Sequence, residues 1–323
     1  FMGMETRHSD PLGEAGCCRR SSAEAGPPSL TLLHDAVYST VQVAVWSLDG
    51  APLGQGVLMD IAEYIGYVAS EGDKFAAAAD MGSLEADVAA CDDWNMRALV
   101  RHLGLIHLWA AAHVAFSSDD WLDSSDDIPA LSRYWPDLAA SWPDDTELVG
   151  WYRRTNENLV RVLRSMPDDH ECMTFLPAPT ALTMWSRRQA SEIAIHRFDA
   201  EHARGIPSHF EPEFSSDMLD ELLSGFASRP RAEGASEIEV KSERVLHVHA
   251  EDVDDHWFLT IGQEAIETSR EGSDADLTVT ATAAELYLLM WNRTDESTVM
   301  LTGDPDLMDV WRESCRVRWS GGG

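Results

Sequence analysis

Glu192 and His196 stand four residues apart in "RRQASEIAIHRFDAEHA", and His102 sits in "RALVRHLGLIHL". A helix advances about 100° per residue, so a spacing of four leaves the carboxylate and the imidazole within about 40° of each other. Alone, such a pair also reads as a surface ion pair. A histidine on a second helix of the same bundle changes the weighing. His102 shares an apolar stripe with Leu99, Leu103 and Ile106, whereas a lone His on such a stripe is commonly a hydrogen-bonded core residue. His107 follows five residues later on roughly the opposite side, so only one of the two is expected to face inward. Two neutral imidazoles and one carboxylate are an open zinc set, with a fourth position left for water or substrate. Iron(II) or nickel(II) can take the same ligands.

The elements that must position these residues are legible as four amphipathic stretches. "LMDIAEYIGYVASEGDKFAAAA" and "TELVGWYRRTNENLVRVLRSM" carry apolar residues at spacings of three and four. "DDWNMRALVRHLGLIHLWAAAHVAF" follows the first, with Asp92 or Asp93 suited to its N-cap. "LTMWSRRQASEIAIHRFDAEHARG" is the fourth, stopped by Gly205 and Pro207. An acidic connection over 118–145 contains three prolines, which exclude a long helix; it reads as a lid or as a loop anchored by Trp121, Trp135 and Trp142. Beyond Pro207 the pattern alternates: "SEIEVKSERVLHVHAEDVDDHWFLTIG" predicts two strands about an acidic turn. "ADLTVTATAAELYLLMWNR" and "STVMLTGDPDLMDVWRESCRVRW" each predict a strand leading into a helix. The expected architecture is α+β: residues 1–56 an extension, flexible in composition and of unassigned role, 57–206 a four-helix bundle, and 207–320 a smaller α+β domain.

Lys and Arg number 24 against 56 Asp and Glu, a formal net charge of −32. So acidic a surface repels nucleic-acid phosphates and anionic membranes, and neither is expected as a partner. Of the five cysteines (Cys17, Cys18, Cys91, Cys172 and Cys315), none has zinc-type spacing, which points to reduced thiols. No apolar run free of Asp, Glu and His suggests a membrane span, and no secretory signal is visible, so the expected compartment is the cytoplasm. No glycine-rich phosphate loop and no Ser–His–Asp spacing is present. His247 and His249 share a strand face, with Asp252, Asp254, Asp255 and His256 following; a hairpin with a solvated acidic turn is preferred there over a metal site.

"DDWNMRALVRHLG" and "RRQASEIAIHRFDAE" together resemble the mycothiol-dependent maleylpyruvate isomerase family. The second has an Arg pair, Glu and His four apart, then Arg, any residue, Asp. "LHVHAEDVDDHWFLTIG", "LYLLMWNR" and "LTGDPDLMDVWR" extend the resemblance over roughly residues 58–318. It implies a DinB-like metal-binding four-helix bundle followed by a small sterol-carrier-like α+β domain. It also implies His102, Glu192 and His196 as metal ligands, and mycothiol as thiol cosubstrate. Where family members often carry His before the Glu, this chain has Ser191. Glu192, Arg188 and Arg270 are the candidate catalytic residues; Arg187 and Arg197 are further candidates for a substrate carboxylate, with Arg197 alternatively paired to Asp199 or Glu201 on the surface.

None of the cysteines lies in the fourth-helix signature, so the expected nucleophile is an external low-molecular-weight thiol activated by a divalent metal, best zinc. Its addition to and elimination from a conjugated double bond is cis–trans isomerisation. Displacement of a leaving group would make the protein an S-transferase. A non-catalytic metal- or ligand-binding regulatory protein is the reading from another class; three rather than four protein ligands favours an enzyme. A small-molecule substrate and a monomer or homodimer complete the expectation.

Overall fold

The computed structural model of the chain describes residues 59–91, 94–116, 128–139, 143–229, 238–272 and 274–315. The expected extension over 1–56, the candidate caps Asp92 and Asp93, and Trp121 and Trp142 lie outside them. α1 (Ile61–Asp80) opens on a capping box: Asp60 Oδ1 accepts from Glu63 N at 2.7 Å, and Asp60 N donates to Glu63 Oε2 at 2.9 Å. α2 (Met96–Phe116) is capped by Asn95, whose Oδ1 accepts from Ala98 N at 3.0 Å. Two short helices, α3 (Ile128–Tyr134) and α4 (Pro136–Ala139), occupy the acidic connection. Trp135 pins this connection to α2 by donating to Leu108 O at 2.9 Å, the anchoring role foreseen for it.

α5 (Asp145–Ser165) and α6 (Ala181–Ala203) complete the long helices. α1 packs on α6 and α5, and α2 packs on α5 and α6. Thr180 caps the start of α6 by accepting from Thr183 N at 3.1 Å. Its end is a Schellman turn: Gly205 takes φ +67°, its N–H reaches His202 O at 3.0 Å, and Ile206 N reaches Glu201 O at 2.9 Å. α2 has the length and apolarity of a membrane span, contrary to the sequence expectation, but 83% of its most apolar window is buried inside the protein.

After α6 comes an element the sequence reading left unassigned, α7 (Pro212–Asp220), continuing as a π-helical turn over Glu221–Phe226. Its alternation of Ser, Asp and Glu with apolar residues hid it, because several of those polar side chains face inward. The sheet comprises β1 (Arg244–Ala250), β2 (Asp255–Ile261), β3 (Ile266–Ser269), β4 (Leu277–Ala281) and β5 (Met300–Gly303), in the order β3-β2-β1-β4-β5. β1 and β4 are parallel; the other pairs are antiparallel. Leu246, Val248, Trp257, Leu259 and Val279 turn to one fully buried face, the period of two that the sequence announced. α8 (Ala283–Met290) packs on α7 and on β1 and β4, and α9 (Asp306–Ser314) follows β5. Trp311 on α9 donates to Met290 O at 3.0 Å.

Two glycines separate packing from propensity. A Cβ on Gly104 would stand 2.1 Å from Trp151 Cζ3, so α2 and α5 approach closely because Gly104 has no side chain. Gly66 in α1 has nothing within 4 Å of such an atom. Gly104→Ala should therefore destabilise the chain by about 1–3 kcal/mol through overpacking. Gly66→Ala should stabilise it by about 0.5–1 kcal/mol through helix propensity. Urea unfolding of both variants checks the contrast, and equal effects would contradict it.

Candidate metal centre

α6 is buried on nearly every side, yet it carries Arg187, Arg188, Glu192, His196, Arg197, Asp199 and Glu201 inward. A charge so placed requires partners, since an unpaired one costs several kcal/mol. Arg187 donates to Asp217 O and Oδ1 at 2.6 and 2.8 Å and to Asp220 Oδ2 at 3.0 Å. Arg197 pairs with Glu71 at 2.5 Å and with Glu201 at 2.7 Å, and lies 4.2 Å over the Phe210 ring. The expected Arg197–Glu201 pair therefore exists, but in the interior rather than on the surface, because α1 and Phe210 cover it.

The three predicted ligands meet between α2 and α6. His102 Nε2 is 3.1 Å from Glu192 Oε1, and His196 Nε2 is 3.4 Å from the same oxygen. The three donor atoms all lie within 4.8 Å of one another. Donors bound at about 2.0–2.1 Å around one ion stand roughly 3–3.5 Å apart, so the set fits a divalent cation closely. The donors behind it fit as well. His196 Nδ1 hydrogen-bonds Asp199 Oδ2 at 2.8 Å, which turns Nε2 toward the centre in the carboxylate–histidine arrangement of metal sites. Asp199 is itself gripped by Arg293, from Nε at 3.1 Å and Nη2 at 2.9 Å. Arg188 holds Glu192 Oε2 in a close ion pair and reaches Glu221 Oε2 at 2.5 Å, leaving Oε1 to the histidines.

These neighbours also set the protonation states. Burial alone would raise the carboxyl of Glu192, but Arg188 and the two histidines outweigh it and hold the group well below its usual range. Burial likewise opposes the charge on Asp199, yet Arg293 and His196 bring it down to about 2. His102 is lowered by burial, which exceeds the pull of Glu192, and so is neutral. For His196 the balance reverses: burial lowers it, while Asp199 and Glu192 raise it above the usual 6.5.

All three histidines of α2 are buried, which corrects the expectation that only one of His102 and His107 faces inward. The two do point to opposite sides, but α2 is enclosed by α6 on one and α5 on the other. His107 faces α5, with Nδ1 3.3 Å from Thr155 Oγ1, and burial pushes its pKa down to about 3. His113 stacks on Trp185 with centroids 5.3 Å apart.

Of the candidate catalytic arginines, Arg188 sits against Glu192, stacked 4.9 Å from the Phe226 centroid. Its guanidinium is committed to two carboxylates, Glu192 and Glu221. Arg270 lies 4.2 Å over the Trp257 ring, donates to His256 O, and stands 3.5 Å from Asp220 and from Asp255. None of these partners is a member of the triad.

Asp199, Arg293 and Cys91 were not assigned to the site from sequence. Asp199 stands three residues after His196, a spacing that places it on the same helix side and could have revealed it. Cys91 donates its S–H to Asp199 Oδ2 at 4.0 Å, behind the triad; nothing in its spacing signals this. A cleft of about 310 Å³ lies elsewhere, between α1 and the end of α6, lined by Tyr67, Glu71, Lys74, Arg197 and Phe214 among others.

Asp199→Ala should cost about 3–5 kcal/mol, since it strands the Arg293 guanidinium in the interior. The double variant Asp199→Ala/Arg293→Met should recover part of that loss in denaturant unfolding, whereas simple additivity of the two substitutions would refute the coupling.

A profile described as the mycothiol maleylpyruvate isomerase N-terminal domain matches residues 67–201. One described as the MDMPI C-terminal domain matches residues 213–309. Among solved structures, the crystal structure of the mycothiol-dependent maleylpyruvate isomerase aligns with TM-score 0.51 and 13% identity, covering 76% of this chain and 93% of that one. A mutant of that enzyme aligns over the same shares at 12% identity, with TM-score 0.49. No curated protein sequence matches the chain. With both domain profiles matched in order along most of its length, the chain belongs to the mycothiol maleylpyruvate isomerase family.

Proposed function

We propose that the chain is a mycothiol-dependent isomerase of the maleylpyruvate type, with a divalent cation, best Zn²⁺, held by His102, Glu192 and His196. The observation that carries this reading is the convergence of two imidazole Nε2 atoms and one carboxylate oxygen, backed by Asp199 and Arg293. Bound there, the cation supplies Lewis acidity that lowers the pKa of a thiol brought to it. The protein's own residues do the rest. Asp199 fixes the His196 tautomer, with Nδ1–H donated and Nε2 bare. Arg188 occupies Oε2 of Glu192 and keeps the carboxylate ionised. Burial shields His102, Glu192 and His196 from bulk water.

An external thiolate fits better than an internal one, since burial pushes the Cys172 thiol up to about 11 and Cys91 is engaged with Asp199. A thiolate adding to a double bond conjugated with a carbonyl makes that bond single. Rotation and elimination then return the thiol and the trans isomer, so no thiol is consumed.

The test pairs two histidines of comparable burial. His196→Ala should lose both the bound metal, measured by elemental analysis, and mycothiol-dependent isomerisation of maleylpyruvate. His107→Ala should keep its metal. A full equivalent of metal in the His196 variant would sink the ligand assignment. Metal without any thiol-dependent turnover in the wild type would leave a binding protein, and a stable thioether product in place of the isomer would mark S-transfer.

Metal affinity should also depend on pH with a known sign. His196 must lose its proton to bind, and its pKa lies above 6.5, while neutral His102 does not compete over the same range. Affinity should therefore fall about tenfold per unit as pH drops below the His196 pKa. A slope of two protons, or none, in a chelator competition series would contradict these protonation states.

A further inference from the structure

We propose that His249, Asp254 and His256 form a second divalent-cation site, on the β1–β2 hairpin and independent of the buried triad. His249 and His256 are direct cross-strand partners, and Asp254 lies in the turn that joins their strands. His256 Nε2 is 3.4 Å and His249 Nε2 3.6 Å from the same oxygen, Asp254 Oδ1. The three donor atoms fall within 4.8 Å of one another. These separations match ligands about 2.0–2.1 Å from a shared ion.

Three further observations point to a ligand. First, His249 Nε2 is shielded from solvent and makes no hydrogen bond, standing 3.6 Å from Asp254 Oδ1. Second, the neighbouring turn acids are used elsewhere. Asp252 Oδ1 accepts from Ala283 N at 2.8 Å, and Asp255 accepts from Ser216 Oγ, whereas Asp254 directs Oδ1 at both imidazoles. Asp254 does so from φ +55°, a left-handed conformation.

Third, a relay behind His256 can hold the tautomer a metal requires. His247 Nδ1 lies 3.3 Å from Thr278 Oγ1, and its Nε2 lies 2.9 Å from His256 Nδ1. With His247 Nδ1–H donated to Thr278, Nε2 accepts the proton of His256 Nδ1, and His256 Nε2 presents a lone pair. Such orientation from behind is what outer partners do for metal-binding histidines. His247 is kept in place by stacking on Phe258 at 4.2 Å.

The His249 and His256 rings are stacked at 4.1 Å with an 8° interplanar angle. Ion capture turns His249, whose Nε2 makes no hydrogen bond, about χ2 so that its lone pair converges with that of His256, and a side-chain exposure of 25% leaves room for this. Two imidazoles and one carboxylate, completed by water, suit Zn²⁺, Ni²⁺ or Cu²⁺ rather than Mg²⁺ or Ca²⁺. An ion there ties the two strands together at the turn.

The experiment titrates Zn²⁺ into the metal-free full chain against a chromophoric chelator. The wild type should bind two equivalents, and His196→Ala should keep one. Adding either His249→Gln or Asp254→Gly to His196→Ala should abolish that remaining equivalent; glycine preserves the left-handed turn, so folding is not at issue. Zn²⁺ should also raise the thermal midpoint of His196→Ala and leave that of the combined variants unmoved. One equivalent in the wild type, lost in His249→Gln but kept in His196→Ala, would support the hairpin site while the triad reading failed. A His196→Ala chain that takes up no zinc, or one whose bound zinc survives both hairpin substitutions, overturns the proposal.

Discussion

The structure turns on a helix that is buried with its charges. α6 has no solvent side on which to place Arg187, Arg188, Glu192, Arg197 or Asp199. Each therefore imposes a demand on another element. Glu71 answers from α1, Asp217 and Asp220 from α7, Glu221 from the π-helical turn, and Arg293 from the segment after α8. Replacing the whole set by apolar residues could give an equally stable core, because buried ion pairs contribute little net stability. What they contribute is position. Arg187, Arg188 and Arg197 each hold two carboxylates, and Arg293 holds Asp199, so the arrangement tolerates few alternatives.

That demand joins the helical and the sheet-bearing parts of the chain at the site. Arg293 lies three residues past α8, yet it fixes the carboxylate that aims His196. Tyr287 on α8 donates to Ser191 O at 3.1 Å, next to Glu192. Trp257 on β2 donates to Asp220, the partner of Arg187. The donor atoms belong to α2 and α6, but their orientation is held from the other half of the chain. A bundle isolated from that half would keep Asp199 and Arg188 but lose Arg293 and Glu221, which hold them in place.

Much of this is legible in the sequence. The four long helices, the strands about the acidic turn and the two strand-to-helix steps follow from periods of 3.6 and 2, where an apolar face meets a polar one. The Glu192–His196 pair was legible because a spacing of four puts two side chains on one helix face, while His102 as the third member of the triad came with the family resemblance. α7 was not, since its inward residues include Asp217 and Glu221, and burial of acids has no hydrophobic signature. The same reason hid the role of Asp199: its three-residue spacing from His196 was visible, but its partner Arg293 lies 94 residues away. Local pattern reports which residues share a face. It does not report which distant charge will come to meet them.

The three histidines of α2 make the point within one helix. They have the same side chain, and all three are buried. His107 meets Thr155 and Tyr152, and His113 meets Trp109 and Trp185, so burial drives both to the neutral form, with pKa values of about 3 and 4. Neither has a carboxylate among these contacts. His102 meets Glu192 and, across 5.2 Å, the ring of His196. A neutral imidazole facing an ionised carboxylate and a second imidazole has the donors a metal would need; a neutral imidazole facing a hydroxyl or an indole is packed as core. Helix identity and burial are equal for the three, and what separates chemistry from packing is the charge that α6 presents opposite His102.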